Sequence, residues 1–129
     1  RGLISPETLD AMHTAMTTEV RNRGGRIHDI FYCPHTPQEK CTCRKPAPGM
    51  IESAQKKHRI DLSRAAMVGD SAKDIACARR AGVRYAVLVK TGNVVKAQQE
   101  MKALAVTPDH VAQDLYAAVE WLLEQFQSR

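Results

Sequence analysis

Three of the four cysteines, Cys33, Cys41 and Cys43, fall within eleven residues, with His35 among them. The run Cys33-Pro-His35, five further residues and then Cys41-Thr-Cys43 offers three thiols and an imidazole, the ligand types that zinc prefers. Four such ligands close a tetrahedral shell and leave no position for water, so a zinc ion here would be structural rather than catalytic. Pro37 in the spacer helps to fold the two ligand pairs towards each other. The metal would replace the packing that a polar loop of fifteen residues, 33–47, cannot supply for itself. The plainer reading is a set of reduced cysteines beside a surface histidine. Clustered Cys with an adjacent His favours metal binding in a reducing compartment, and we expect the cytoplasm.

A second group of residues suits phosphate. Arg44-Lys45 directly follows the last candidate zinc ligand, so a metal-tied loop would hold two cations at a fixed place. Arginine can grip a phosphate with two parallel hydrogen bonds, whereas lysine acts as a point charge. Met67-Val-Gly-Asp70-Ser-Ala-Lys-Asp74 sets one carboxylate at the end of an apolar run and a second four residues on, one helical turn away. A carboxylate at a strand end can hold a hydrated Mg²⁺ that bridges to phosphate. The alternative is that Asp70 caps the helix and Asp74 is a solvated charge on it. Lys90-Thr91-Gly92-Asn93 is a third polar loop, read first as a turn.

These loops need elements to position them. Ser5-Pro6 opens a helix, with Leu9, Met12, Met16 and Val20 on one face and Gly24-Gly25 at its end. The pattern predicts a short strand over 27–32, then the Cys-rich loop. A second helix follows from Pro48 to about His58, burying Met50, Ile51 and Ala54. The run 65–68 reads as a strand leading into Gly69-Asp70-Ser71 and a helix through Ala81, stopped by Gly82. Residues 83–89 are apolar on both faces, as in a buried parallel strand. A helix over 94–104, a minimal edge strand at His110-Val111 and a last helix complete the pattern. Leu115, Val119, Leu122, Leu123 and Phe126 give that last helix an apolar face. Helices alternating with short apolar strands predict an α/β fold, a Rossmann-like parallel sheet flanked by helices, in one domain over 1–129. Ligands of such sheets bind beyond the carboxyl ends of the strands, where the three polar loops lie.

Composition removes several alternatives. At 43% hydrophobic and 26% charged the chain is too apolar for a disordered polymer, and no run approaches the length of a membrane span. No membrane partner is expected. The net charge of +5 is scattered over Arg21/Arg23/Arg26, Lys56/Lys57/Arg59 and Arg79/Arg80, and aromatic residues make up only 5%. Scattered cations with few rings for stacking argue against nucleic acid as a partner.

The run from Cys33 to Met50, then Val68-Gly-Asp-Ser-Ala-Lys-Asp74 and Thr91-Gly92, resembles the zinc-containing branch of the haloacid dehalogenase superfamily. The resemblance covers essentially the whole chain. Within the branch, Arg-Lys-Pro-x-Pro-Gly-Met is closer to the heptose-bisphosphate phosphatases of lipopolysaccharide-core precursor synthesis. The short spacer between His35 and Cys41 suits the histidinol-phosphate phosphatases equally well. The resemblance implies a phosphatase that uses Mg²⁺ and Zn²⁺ on a phosphorylated sugar, monomeric when complete. Cys33, His35, Cys41 and Cys43 would bind the zinc and Arg44 would contact substrate. Lys45 would neutralise the phosphoryl group and the phospho-aspartyl intermediate. Asp70 would bind magnesium, with Asp74 a supporting carboxylate. The family's nucleophile and general acid, an Asp-x-Asp pair on an amino-terminal strand, have no counterpart, since no Asp-x-Asp occurs in the sequence. The family's second motif, a Ser or Thr at another strand end, is also missing. The chain therefore reads as the carboxyl-terminal portion of such a domain, starting just after that motif, and is expected to be inactive alone. A zinc-stabilised binding module without chemistry is the competing reading.

Purified without chelator, the chain should carry about one zinc per molecule, as one closed four-ligand site requires. Metal analysis showing no zinc, with Cys33, Cys41 and Cys43 all freely titratable, would remove the proposed site.

Overall fold

The computed structural model describes residues 5–32 and 45–127. The chain divides into two compact units, Arg1–Cys41 and Thr42–Arg129, and each is described by itself. The four candidate zinc ligands Cys33, His35, Cys41 and Cys43, together with Arg44, lie outside the described residues.

In the first unit, helix α1 spans Pro6–Asn22. The Ser5 hydroxyl accepts from the Thr8 N–H at 3.1 Å, and Pro6 occupies the first helical position, where its missing N–H costs nothing. At the other end the Gly24 N–H donates to Arg21 O at 3.0 Å and the Gly25 N–H to Val20 O at 2.9 Å. This paired closure satisfies the last carbonyls of the helix. The predicted apolar face is only partly covered: Leu9 and Val20 are half-buried, and Met12 and Met16 stay exposed. Residues 27–32 are not a strand. A strand exists through its ladder of hydrogen bonds, and the only sheet among the described residues is built from strands further along the chain.

In the second unit, α2 (Gly49–His58) and a short 3₁₀ turn (Leu62–Arg64) lead into β1 (Ala66–Gly69), α3 (Ala72–Ala81), β2 (Tyr85–Val89), α4 (Val94–Leu104), β3 (His110–Ala112) and α5 (Leu115–Gln127). The three strands form a parallel sheet in the order β1-β2-β3. Ala66 pairs with Tyr85 and Gly69 with Leu88; Val87 pairs with His110 and Val89 with Ala112. β2 is therefore central and buried on both faces, as its continuous apolar run requires. Its Ala86 and Leu88 join Ile75, Ala78, Ala97 and Met101 in a core with α3 and α4. Its Val87 and Val89 join Ala112, Ala118 and Leu122 in a second core with α5. The sheet is thus sandwiched between α3/α4 and α5. Among the described residues no helix is long and apolar enough to cross a membrane.

Two expectations of burial change. Met50, Ile51 and Ala54 of α2 are half-buried rather than buried, although Ile51 packs on the α3/α4 core. On α5 the buried stripe runs through Ala118 and Leu122, with Trp121 and Phe126 packed against it, while Leu115, Val119 and Leu123 are exposed. The apolar residues of α5 cover more than one face, so periodicity alone does not choose its rotation. The aromatic contacts accompany the choice: Trp121 and Phe126 meet Tyr85 edge-on at 5.6 and 5.3 Å, and Trp121 stacks on His110 at 4.6 Å.

Cys77, buried in α3, offers its Sγ to Ala47 O at 3.5 Å, and its burial pushes the thiol above the usual thiol range. A raised pKa means less thiolate, the reactive form, at any given pH. At pH 8 Cys77 should be alkylated markedly more slowly in the folded chain than in urea, because burial both shields the thiol and disfavours its thiolate. Peptide-resolved mass spectrometry that found equal rates would contradict this burial.

Candidate functional site at the β1 end of the sheet

The turn leaving β1 is built by one side chain. Ser71 caps α3, its hydroxyl accepting from the Asp74 N–H at 3.3 Å, while Asp74 Oδ2 accepts in return from the Ser71 N–H at 3.2 Å. This reciprocal capping box satisfies donors that the first turn of a helix otherwise leaves open. Asp74 Oδ2 also accepts from the Asp70 N–H at 3.1 Å, and its Oδ1 accepts from the Lys45 ammonium. Both oxygens of Asp74 are thus engaged, and its side chain is only 6% exposed against 40% for Lys45. Such a carboxylate is a fixed negative group that holds its neighbours.

Gly69 makes the arrangement possible. A Cβ there would stand 2.3 Å from Asp74 Oδ2, so any side chain would push the carboxylate off the turn. Lys45 comes from the segment ahead of α2. That segment is tied to α3 by the Cys77–Ala47 contact, and α2, which follows it, packs Ile51 on the α3/α4 core. An ammonium group is thereby held beside the end of β1 although it lies 29 residues from its partner.

Asp70 has the opposite surroundings. Its residue is exposed, and its carboxylate faces the loop that leaves β2, where a Cβ on Gly92 would lie 2.7 Å from Asp70 Oδ2. The loop is fixed on both sides. The Lys90 N–H donates to Ala112 O at 3.0 Å, and Asn93 caps α4 by accepting from the Lys96 N–H at 3.0 Å. Gly92 therefore keeps open the space around an exposed carboxylate oxygen. A hard oxygen donor with open space beside it fits Mg²⁺, which binds through one or two carboxylates and fills its remaining positions with water and phosphate oxygens. Asp74 already accepts three hydrogen bonds, two on Oδ2 and one on Oδ1, so it supports the turn and Lys45 while Asp70 is the exposed carboxylate. Among the described residues no cluster of three or more His, Cys, Asp or Glu is placed to hold a metal.

The structure thus brings together Lys45, Asp70 and Asp74 of the predicted residues; Arg44 and the zinc quartet fall outside the described region. The sequence reading did not single out the space that Gly69 and Gly92 provide. The HAD-hydrolase-like family model matches residues 42–118, the stretch that carries this turn and both loops. The chain belongs to the haloacid-dehalogenase-like hydrolases. Within that family it is 38% identical to the D-glycero-β-D-manno-heptose-1,7-bisphosphate 7-phosphatase of Bordetella bronchiseptica, over 97% of this chain and 68% of that protein. It is 44% identical to the corresponding enzyme of Pseudomonas putida, over 71% of this chain and 52% of the relative. A D,D-heptose 1,7-bisphosphate phosphatase from B. bronchiseptica, solved with magnesium and phosphate, superimposes with a TM-score of 0.85 at 37% identity, covering 97% of this chain and 68% of that one. The chain spans only about half to two thirds of the length of these hydrolases.

Replacing Asp74 by Asn keeps the shape and an acceptor for the turn but removes the partner of Lys45. Because Lys45 is partly exposed and can turn to solvent, the expected loss is about 1.5–3 kcal/mol, the range for hydrogen bonds to charged groups. It stays below the larger loss expected for a stranded buried charge. A denaturation double-mutant cycle of Asp74→Asn with Lys45→Met should give a coupling of at least about 0.5 kcal/mol. Strict additivity would show that the two groups do not depend on each other.

Proposed function

We propose that this chain is the phosphate- and metal-facing part of a phosphatase that removes the 7-phosphate of D-glycero-D-manno-heptose 1,7-bisphosphate. The observation that carries the reading is the Lys45–Asp74 pair beside the open carboxylate of Asp70. The named activity of relatives similar over most of the chain supports it and favours the heptose reading over histidinol phosphate. A phosphoryl group in flight carries its charge on its outer oxygens, so catalysis is mainly positioning and electrostatic stabilisation. In this proposal the Lys45 ammonium, held by Asp74, meets those oxygens, and its orientation is fixed before substrate arrives. Asp70 would hold magnesium, which when bound supplies positive charge shared with the phosphoryl oxygens. Arg44, next to Lys45 in sequence, would bind the substrate.

The nucleophilic aspartate and the acid two residues beyond it would come from sequence outside these residues, since 1–129 contain no Asp-x-Asp. We read the chain as the carboxyl-terminal part of one such domain, monomeric when complete. Zinc on Cys33, His35, Cys41 and Cys43 would brace the loop that ends in Arg44-Lys45. Four ligands of zinc's preferred types at close spacing support that site, and cysteines kept reduced for a metal suit the cytoplasm.

Expressed as its gene encodes it, the protein should release phosphate from the heptose bisphosphate in a magnesium-dependent reaction, and faster than from histidinol phosphate. Lys45→Met should lower kcat/KM by about 100-fold or more, as expected for removal of a preorganised charge-stabilising donor. Residues 1–129 alone should release none. A preference for histidinol phosphate would replace the substrate assignment, and full activity in the Lys45 variant would remove the mechanism.

A further inference from the structure

Two residues of α3, three apart and therefore on one face of the helix, reach the same distant segment. Asp74 takes the Lys45 ammonium, and Cys77 donates its thiol to the Ala47 carbonyl at 3.5 Å. The neighbouring face of α3, with Ala72, Ile75 and Ala78, goes into the α3/α4 core instead. Cys77 is only 1% exposed yet belongs to neither hydrophobic core. Its contact with Ala47 therefore serves the Lys45 segment rather than the packing of the sheet.

Lys45-Pro46-Ala47-Pro48 depends on such anchors. Its two prolines have no N–H to give, and each restricts the residue before it, here Lys45 and Ala47. A stiff segment carries the position of one residue to its neighbours. Fixing the Ala47 carbonyl thus limits where the Lys45 side chain can start. Burial raises the Cys77 thiol above its ordinary range, so it keeps the proton that it donates. The Lys45 charge is near enough to act on the thiol in the opposite direction.

We propose that Cys77 is a positioning residue: by holding the Ala47 carbonyl it sets the aim of the Lys45 ammonium. The inference rests on the proposed function, in which Lys45 meets the phosphoryl oxygens. Asp74 fixes the charged end of Lys45, and Cys77 fixes the backbone from which that side chain springs. Cys77 touches no reacting atom and acts only through Lys45. An ammonium out of line weakens transition-state stabilisation more than substrate binding, so the effect belongs in kcat rather than in KM.

The test uses the protein as its gene encodes it, with heptose 1,7-bisphosphate and magnesium. Cys77→Val keeps an apolar side chain but has no donor. It should lower kcat about fivefold with KM little changed, the effect of about 1 kcal/mol, a typical net hydrogen bond. Cys77→Ala makes the same deletion without added volume and should lose as much. Cys77→Ser restores a donor and should recover most of the rate. In a Lys45→Met background Cys77→Val should have no further effect, because the group it positions is gone. Three results would overturn the positioning role and leave the phosphatase reading intact: wild-type rates in the Val and Ala variants, a Ser variant as slow as they are, or the full loss persisting in the Lys45→Met background. Wild-type protein that releases no phosphate from the bisphosphate would overturn the phosphatase reading and this role with it.

Discussion

Everything at the β1 end of the sheet hangs on the carboxylate of Asp74. Taking a charge this far out of water is costly unless it is paired and hydrogen-bonded. Here one oxygen faces an ammonium and the other two backbone N–H groups. Those three donors come from a distant loop, from Asp70 and from Ser71. One buried group therefore fixes the cation, the direction of the Asp70 residue and the start of α3. Energy spent on desolvating Asp74 is returned as order in a place where phosphate chemistry needs charges already aimed.

The scaffold supplies the position. β2 is apolar on both faces, so it fixes the sheet between α3/α4 and α5 and sends its following loop to the same edge as the β1 turn. At that edge backbone approaches side chain more closely than a Cβ would allow. Gly69 sits against Asp74, and Gly92 sits against Asp70. The two glycines do opposite things. One lets a carboxylate fold back and be consumed, and the other keeps a carboxylate open.

Much of this was legible in the sequence, and the exceptions share a cause. The helices over 72–81 and 94–104 announce themselves through local signals: Ser71 three residues before Asp74, Asn93 before an apolar-periodic run, Gly82 after the last turn. The two-sided apolar run of β2 likewise gives its buried position. What local spacing cannot state is a partner far along the chain. Asp74 read equally as a second metal carboxylate or a solvated charge, because Lys45 stands 29 residues away. Residues 27–32 have the pattern of a strand, but pairing decides strands, and the described sheet does not include them. On α5 a wide apolar surface left several rotations open, and contacts of Trp121 and Phe126 with Tyr85, a residue of another element, accompany the one adopted.

Two aspartates four residues apart thus end in opposite states, and the difference follows from donor supply rather than residue type. Asp74 lies where backbone N–H groups and an ammonium converge, so both of its oxygens are engaged by the fold itself. Asp70 contributes its N–H to that cluster and leaves its own carboxylate outside it. Were both carboxylates open, neighbouring like charges would raise the cost of ionising the second, and a cation could be captured without phosphate. By neutralising Asp74 internally with Lys45, the chain leaves a single hard carboxylate at the strand end. A magnesium ion held by so few protein ligands keeps positions for phosphate oxygens. In the proposed function that makes metal and substrate binding mutually dependent, a consequence of where three donors point.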